Sequence, residues 1–147
     1  MNGRPDGLGP MLFYRIVMYA SAALFLVLAL LLFFSPRDFL GGLGLDMTTS
    51  TDFLARRASV LLLSLSVLCF FGRNASSGVA RQALAMAMLV ATGAMATLGT
   101  AELVRGATTV GILKAVAIEA VCAVCFFWIW WCDRRARSAM RSRVDIN

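Results

Sequence analysis

The chain has 147 residues, 60% hydrophobic and 15% charged, with a mean hydropathy of +0.79 and a net charge of +6. An ordinary soluble domain carries about 25% charged residues, and one of this size could not hide so much apolar surface in a single core. Disordered, collagen-like and typical water-soluble chains are therefore excluded. The histidine count is zero, which excludes a Ser-His-Asp triad, an imidazole base, His-ligated haem and a Cys₂His₂ zinc site. No GxGxxG follows a strand and no GxxxxGK[ST] is present.

Four apolar runs follow in chain order, over 12–34, 53–71, 82–104 and 110–131. A bilayer core needs roughly 20 helical residues at about 1.5 Å each, and every run meets that length. Transmembrane β-strands need only about 10 alternating residues, so these continuous tracts read as helices. The first run follows a basic flank. It is longer than a signal-peptide core and lacks an A-x-A-like site after it, so it reads as a retained anchor. Ser35-Pro36 stops it, because proline has no amide proton to continue a helix. Phe39 to Leu45 (FLGGLGL) reads as an interfacial segment, and Met47 to Asp52 offers several N-cap residues for the second helix. The remaining connections, Gly72 to Arg81 and Arg105 to Thr109, are short, which forces neighbouring helices antiparallel. The expected fold is all-α, an integral membrane four-helix bundle running up-down-up-down, in one domain with a basic tail over 132–147.

Arginine placement sets the expected orientation. The side with both termini and the middle loop holds Arg4, Arg15, Arg73, Arg81, Arg134, Arg135, Arg137, Arg141 and Arg143, nine basic residues. The outer side holds five, Arg37, Arg56, Arg57, Arg105 and Lys114. The excess predicts a bacterial inner membrane protein with both termini in the cytoplasm. The tail is expected to lie against anionic headgroups, and no nucleic-acid partner is implied. Phe13, Tyr14, Tyr19, Phe126, Phe127, Trp128, Trp130 and Trp131 are expected to form an aromatic belt on the cytoplasmic side.

The third run is rich in small residues. Ala83, Ala87 and Ala91 line one face, Gly93, Thr97 and Ala101 another, and Ala107, Gly111 and Ala115 carry the pattern into the fourth helix. Small residues at spacing four let helix backbones approach closely in lipid. The third helix is therefore expected at the packing centre, with Gly93 and Ala94 shielded from lipid. The same faces offer a contact for a second copy or another protein.

Charges within the spans are the candidate site. Glu119 lies nine residues into the fourth run, about 14 Å from its outer end. A carboxylate there should pair, protonate or face a polar cavity. Arg56 and Arg57 open the second run and Glu102 nears the end of the third, so an Arg–Glu cluster in the outer half is expected. Arg57 lies one step deeper than Arg56 and both are candidate partners for Glu119. Cys122 and Cys125 form a CxxC inside an apolar helix with no glycine or proline break beside it. Buried thiols there favour packing over chemistry, so they are redox candidates of the second rank. No cofactor and no metal ligand set is indicated.

Phe33-Phe34-Ser35-Pro36-Arg37-Asp38-Phe39-Leu40 leads from the first span into a glycine-containing loop. Arg56-Arg57-Ala58-Ser59 then opens the second span, which closes at Phe71-Gly72-Arg73-Asn74. This layout resembles small four-helix bacterial inner-membrane proteins of unknown function, a resemblance that implies a fold and no activity. Three functions are carried forward. The first is a non-catalytic structural or accessory component of a membrane assembly. The second is a small transporter or lipophilic-ligand binder using Glu119 and an arginine. The third is a membrane thiol oxidoreductase using Cys122 and Cys125.

Overall fold

The computed structural model describes residues 8–44, 48–76, 78–106, 108 and 110–144. Of the segments singled out above, Arg4, Leu45, Met47, Ala107 and Thr109 lie outside the described residues, as do the side chains of Arg141 and Arg143. Among the described residues the chain is all-helical. Helix α1 spans Leu8–Phe34, α2 Pro36–Gly42, α3 Thr49–Gly72, α4 Val79–Val104 and α5 Leu113–Val144, the last entered through a 3₁₀ turn over Val110–Ile112. Four of the helices, all except α2, are long and apolar enough to cross a membrane.

Local chemistry explains the boundaries. Pro36 opens α2 at a position where its missing amide proton costs nothing. The FLGGLGL segment thus begins in a short helix, with Phe39 and Leu40 half-buried against neighbours. Among the candidate caps Thr48 starts α3, its hydroxyl accepting from the Thr51 amide at 3.2 Å. Gly106, at φ +73°, closes α4 in the left-handed region that favours glycine. Helix α5 does not end at Trp131: the start of the basic tail continues it to Val144.

Packing is by hairpins. Helix α1 lies along α3 and α4 along α5, and the two pairs join mainly through the first half of α1 and the middle of α5. Small residues allow the close approach. Ala22, Ala29, Ala55, Ser59 and Ser66 are buried in the first pair, and Ser66 Oγ donates to the Ala22 carbonyl at 2.8 Å. In the second pair, a Cβ on Gly99 would stand 2.7 Å from Val116 Cγ2. The common core gathers Tyr14, Met18 and Phe25 of α1, Cys69 of α3, Ala85 and Met88 of α4, and Phe126 and Ile129 of α5.

Two expectations are corrected here. The packing centre is α1, not the small-residue helix α4. The buried stripe of α4 is Arg81, Ala85, Met88 and Thr92, whereas Ala83, Ala87 and Ala94 are exposed and a Cβ on Gly93 would meet open space. Small residues permit close packing, but the large side chains beside them decide which face is used. The aromatic belt also loses two members. Tyr14 and Phe126 are 1% and 0% exposed and belong to the core, while Phe13, Tyr19, Phe127, Trp128 and Trp131 are exposed.

Candidate functional site

The most concentrated polar chemistry lies at the end of the molecule where the hairpins join. Arg81 is the third residue of α4, and Asp133 sits in α5 where the apolar run meets the arginine-rich segment. Their antiparallel arrangement brings the start of α4 level with the end of the apolar part of α5. Arg81 Nε lies 2.9 Å from Asp133 Oδ2, with the residues 4% and 9% exposed. The distance is that of an ion pair, yet the Nε–H is not aimed at the oxygen, so neither atom completes a hydrogen bond.

The Arg81 guanidinium also sits over the Tyr14 ring, its central carbon 4.2 Å from the centroid. A cation on an aromatic face in a water-poor setting gains about 2 kcal/mol. Tyr14 Oη in turn donates to the Gly72 carbonyl at 2.7 Å, a second donor to an oxygen that also accepts from the Ala75 amide at 2.9 Å. Gly72 is closely packed there: a Cβ would stand 2.9 Å from Met18 Cε and 3.0 Å from Leu84 Cδ1, so those side-chain ends would have to shift. One chain of contacts thus links α5, α4, α1 and α3.

Other arginines at this end rest on aromatic rings. Arg73 lies over Phe70 and Tyr19, Arg134 over Trp130 and Arg135 over Trp131. Arg15 Nη2 donates to Asn74 Oδ1 at 2.8 Å, tying α1 to the loop after α3.

The residues expected to form a site in the outer half do not meet. Arg56 pairs with Asp52 of its own helix at 3.6 Å, and Arg57 lies over the Phe53 ring at 5.5 Å. Glu102 accepts from Arg105 Nη1 at 3.1 Å. Glu119 is half-buried and forms no ion pair among the described residues, so the expected pairing with Arg57 or Arg56 is not made. The physical reason is the hairpin arrangement. Helix α3 turns Ala55 and Ser59 inward and leaves both arginines exposed, while α5 packs along α4 instead. An open groove between α4 and α5 runs past Thr97, Thr100, Arg105, Val116 and Ala120, with Glu119 next in sequence to its lining.

The cysteines are all free. Cys69 is buried, its sulfur 3.9 Å from Met88 Sδ. Cys122 and Cys125 are half-buried, one turn apart in an unbroken stretch of α5. No group of residues suited to a metal ion occurs among the described residues. No family model, curated protein or solved structure matches the chain.

The Arg81–Asp133 pair was hidden because each residue has a bland reading alone. One sits in a loop-flanking position that suits topology, the other in a basic tail. The signal was periodic: Cys122, Phe126, Ile129 and Asp133 form one α5 stripe at the same spacing as Arg81, Ala85, Met88 and Thr92 on α4.

Proposed function

We propose that this chain is a non-catalytic structural or accessory component of a membrane assembly, placed in a bacterial inner membrane with both termini in the cytoplasm. The observation that carries the reading is where the interior polar groups are spent. Tyr14, Ser66, Arg81 and Asp133 each bind another helix of the same chain, and none of the four lines the α4–α5 groove. Helix α5 leaves Val121, Val124 and Trp128 exposed, an apolar face open to lipid or to a neighbouring membrane helix. The excess of arginine on the side of the termini supports the orientation.

The test is purification of the full chain in mild detergent, with mass measurement and identification of co-purifying proteins. A defined complex of higher mass than the chain supports the reading. A lone monomer, in detergent and after crosslinking in native membranes, overturns it.

A second reading is favoured by one observation. Glu119 is half-buried in α5, next in sequence to the groove-lining Ala120, and has no cationic partner among the described residues, an arrangement open to a cationic or proton-coupled ligand. Substrate-dependent flux in vesicles that is lost in Glu119→Gln would favour it.

A further inference from the structure

The Arg81 cluster contains more cation than its carboxylate can satisfy. Arg137 lies one helical turn beyond Asp133 on α5, the spacing that puts two side chains on one face. Its Nη2 is buried without a hydrogen-bond partner, as is Nε of Arg81. Each guanidinium offers five N–H donors, and the single carboxylate between them offers about four lone-pair sites. Arg81, seated over the Tyr14 ring, and Arg137 both act on the one carboxylate of Asp133, which leaves one positive charge in excess at this end. Other acceptors at this end are already engaged: the Gly72 carbonyl by Tyr14, Asn74 Oδ1 by Arg15, and the Phe70 carbonyl by Arg73. A buried excess cation is costly unless an anion joins it.

We propose that Arg81 and Arg137 bind the phosphate of one anionic phospholipid headgroup at this end of the molecule. The inference rests on the membrane reading above. The guanidinium fork matches phosphate oxygens in two parallel hydrogen bonds, which no lone ammonium can do. The level is that of a headgroup. Trp130 and Trp131 end the apolar part of α5, and the exposed Arg134 and Arg135 follow directly, each against one of those rings. Asp133 has a positioning role: it lies 2.9 Å from Arg81 Nε and holds that guanidinium over Tyr14.

The experiment is native mass spectrometry of the full chain in neutral detergent, titrated with phosphatidylglycerol, phosphatidylcholine or inorganic phosphate. One phosphatidylglycerol should be retained in preference to phosphatidylcholine. Arg137→Gln should weaken that adduct about tenfold, the loss of a charge-assisted hydrogen-bond pair. Arg135→Gln, an exposed arginine of the same helix, should weaken it less than about threefold. Equal losses in the two variants would mean diffuse charge attraction and overturn the site. Equal retention of the two lipids would overturn it too, and decides the matter from the wild-type chain if Arg137→Gln does not fold. Inorganic phosphate that displaces the lipid at equal concentration would assign the site to free phosphate and overturn the lipid. A chain that stays in solution without detergent would end the membrane reading itself, whereas a detergent-requiring chain without lipid preference ends only this proposal.

Discussion

Tyr14 and Gly72 are joined by a 2.7 Å hydrogen bond from the phenol to the last carbonyl of α3, although 58 positions separate them in the chain. The same ring carries the Arg81 guanidinium on its face. Tyr14 therefore acts as a two-sided tie, with α3 on its hydroxyl and α4 on its ring. This separates its two contributions. Tyr14→Phe removes only the hydrogen bond and should cost about 0.5–1.5 kcal/mol. Tyr14→Ala removes the bond, the cation contact and the buried ring, and should cost about 3–5 kcal/mol. Unfolding of the purified chain by a denaturing detergent measures both, and equal losses would remove the ring from the account.

Ser66 and Ser64 provide a matched pair on α3. Ser66 Oγ bonds the Ala22 carbonyl of α1, while Ser64 Oγ bonds the Val60 carbonyl of its own helix. Ser66→Ala should lower stability by about 0.6–1.7 kcal/mol, the range for interhelical bonds in membranes. Ser64→Ala should leave it within about 0.5 kcal/mol of the wild type. The reverse order in unfolding midpoints would show that α1 and α3 pack in a different register.

Gly99 and Gly93 make opposite predictions from the same helix. A leucine at Gly99 drives atoms into Val116 and Ile112, whereas one at Gly93 enters open space. Gly99→Leu should destabilise by about 1–3 kcal/mol through overpacking. Gly93→Leu should be near neutral, within about 0.5 kcal/mol. Destabilisation by Gly93→Leu would return α4 to the centre of the packing.

Orientation is tested separately. The proposed orientation, with both termini in the cytoplasm, rests on nine basic residues on the side of the termini against five opposite. A reporter active only outside the cytoplasm, fused after Asn147, should be silent. Strong activity would invert the arrangement.

The sequence reading of the helices was direct because each apolar run is long enough to cross a bilayer and is bounded by proline, glycine or charge. Side-chain pairing was less legible. Depth along a helix can be counted from the sequence, so Glu119 was placed deep in its span and Arg56 and Arg57 in the outer part of theirs, within reach of a long side chain. Azimuth and neighbour choice cannot be counted that way, and α3 and α5 lie in different hairpins. The same limit applies to α4, where small residues on several faces leave the packed face undetermined until Arg81, Met88 and Thr92 select it. Arg81 was counted by the positive-inside pattern and Asp133 fell within the basic tail, readings that take charge by position and are blind to partners.

The central claim is that the Arg81–Asp133 pair holds the helices together, and a double-mutant cycle tests it most directly. Each single change, Arg81→Met or Asp133→Leu, strands a buried charge and should cost about 3–5 kcal/mol. The double change replaces the pair with apolar side chains of similar volume and should recover most of that loss. Unfolding midpoints of the four proteins in neutral detergent give the coupling. The account predicts a double variant more stable than either single one. Strictly additive losses would contradict it, because the two side chains would then act independently.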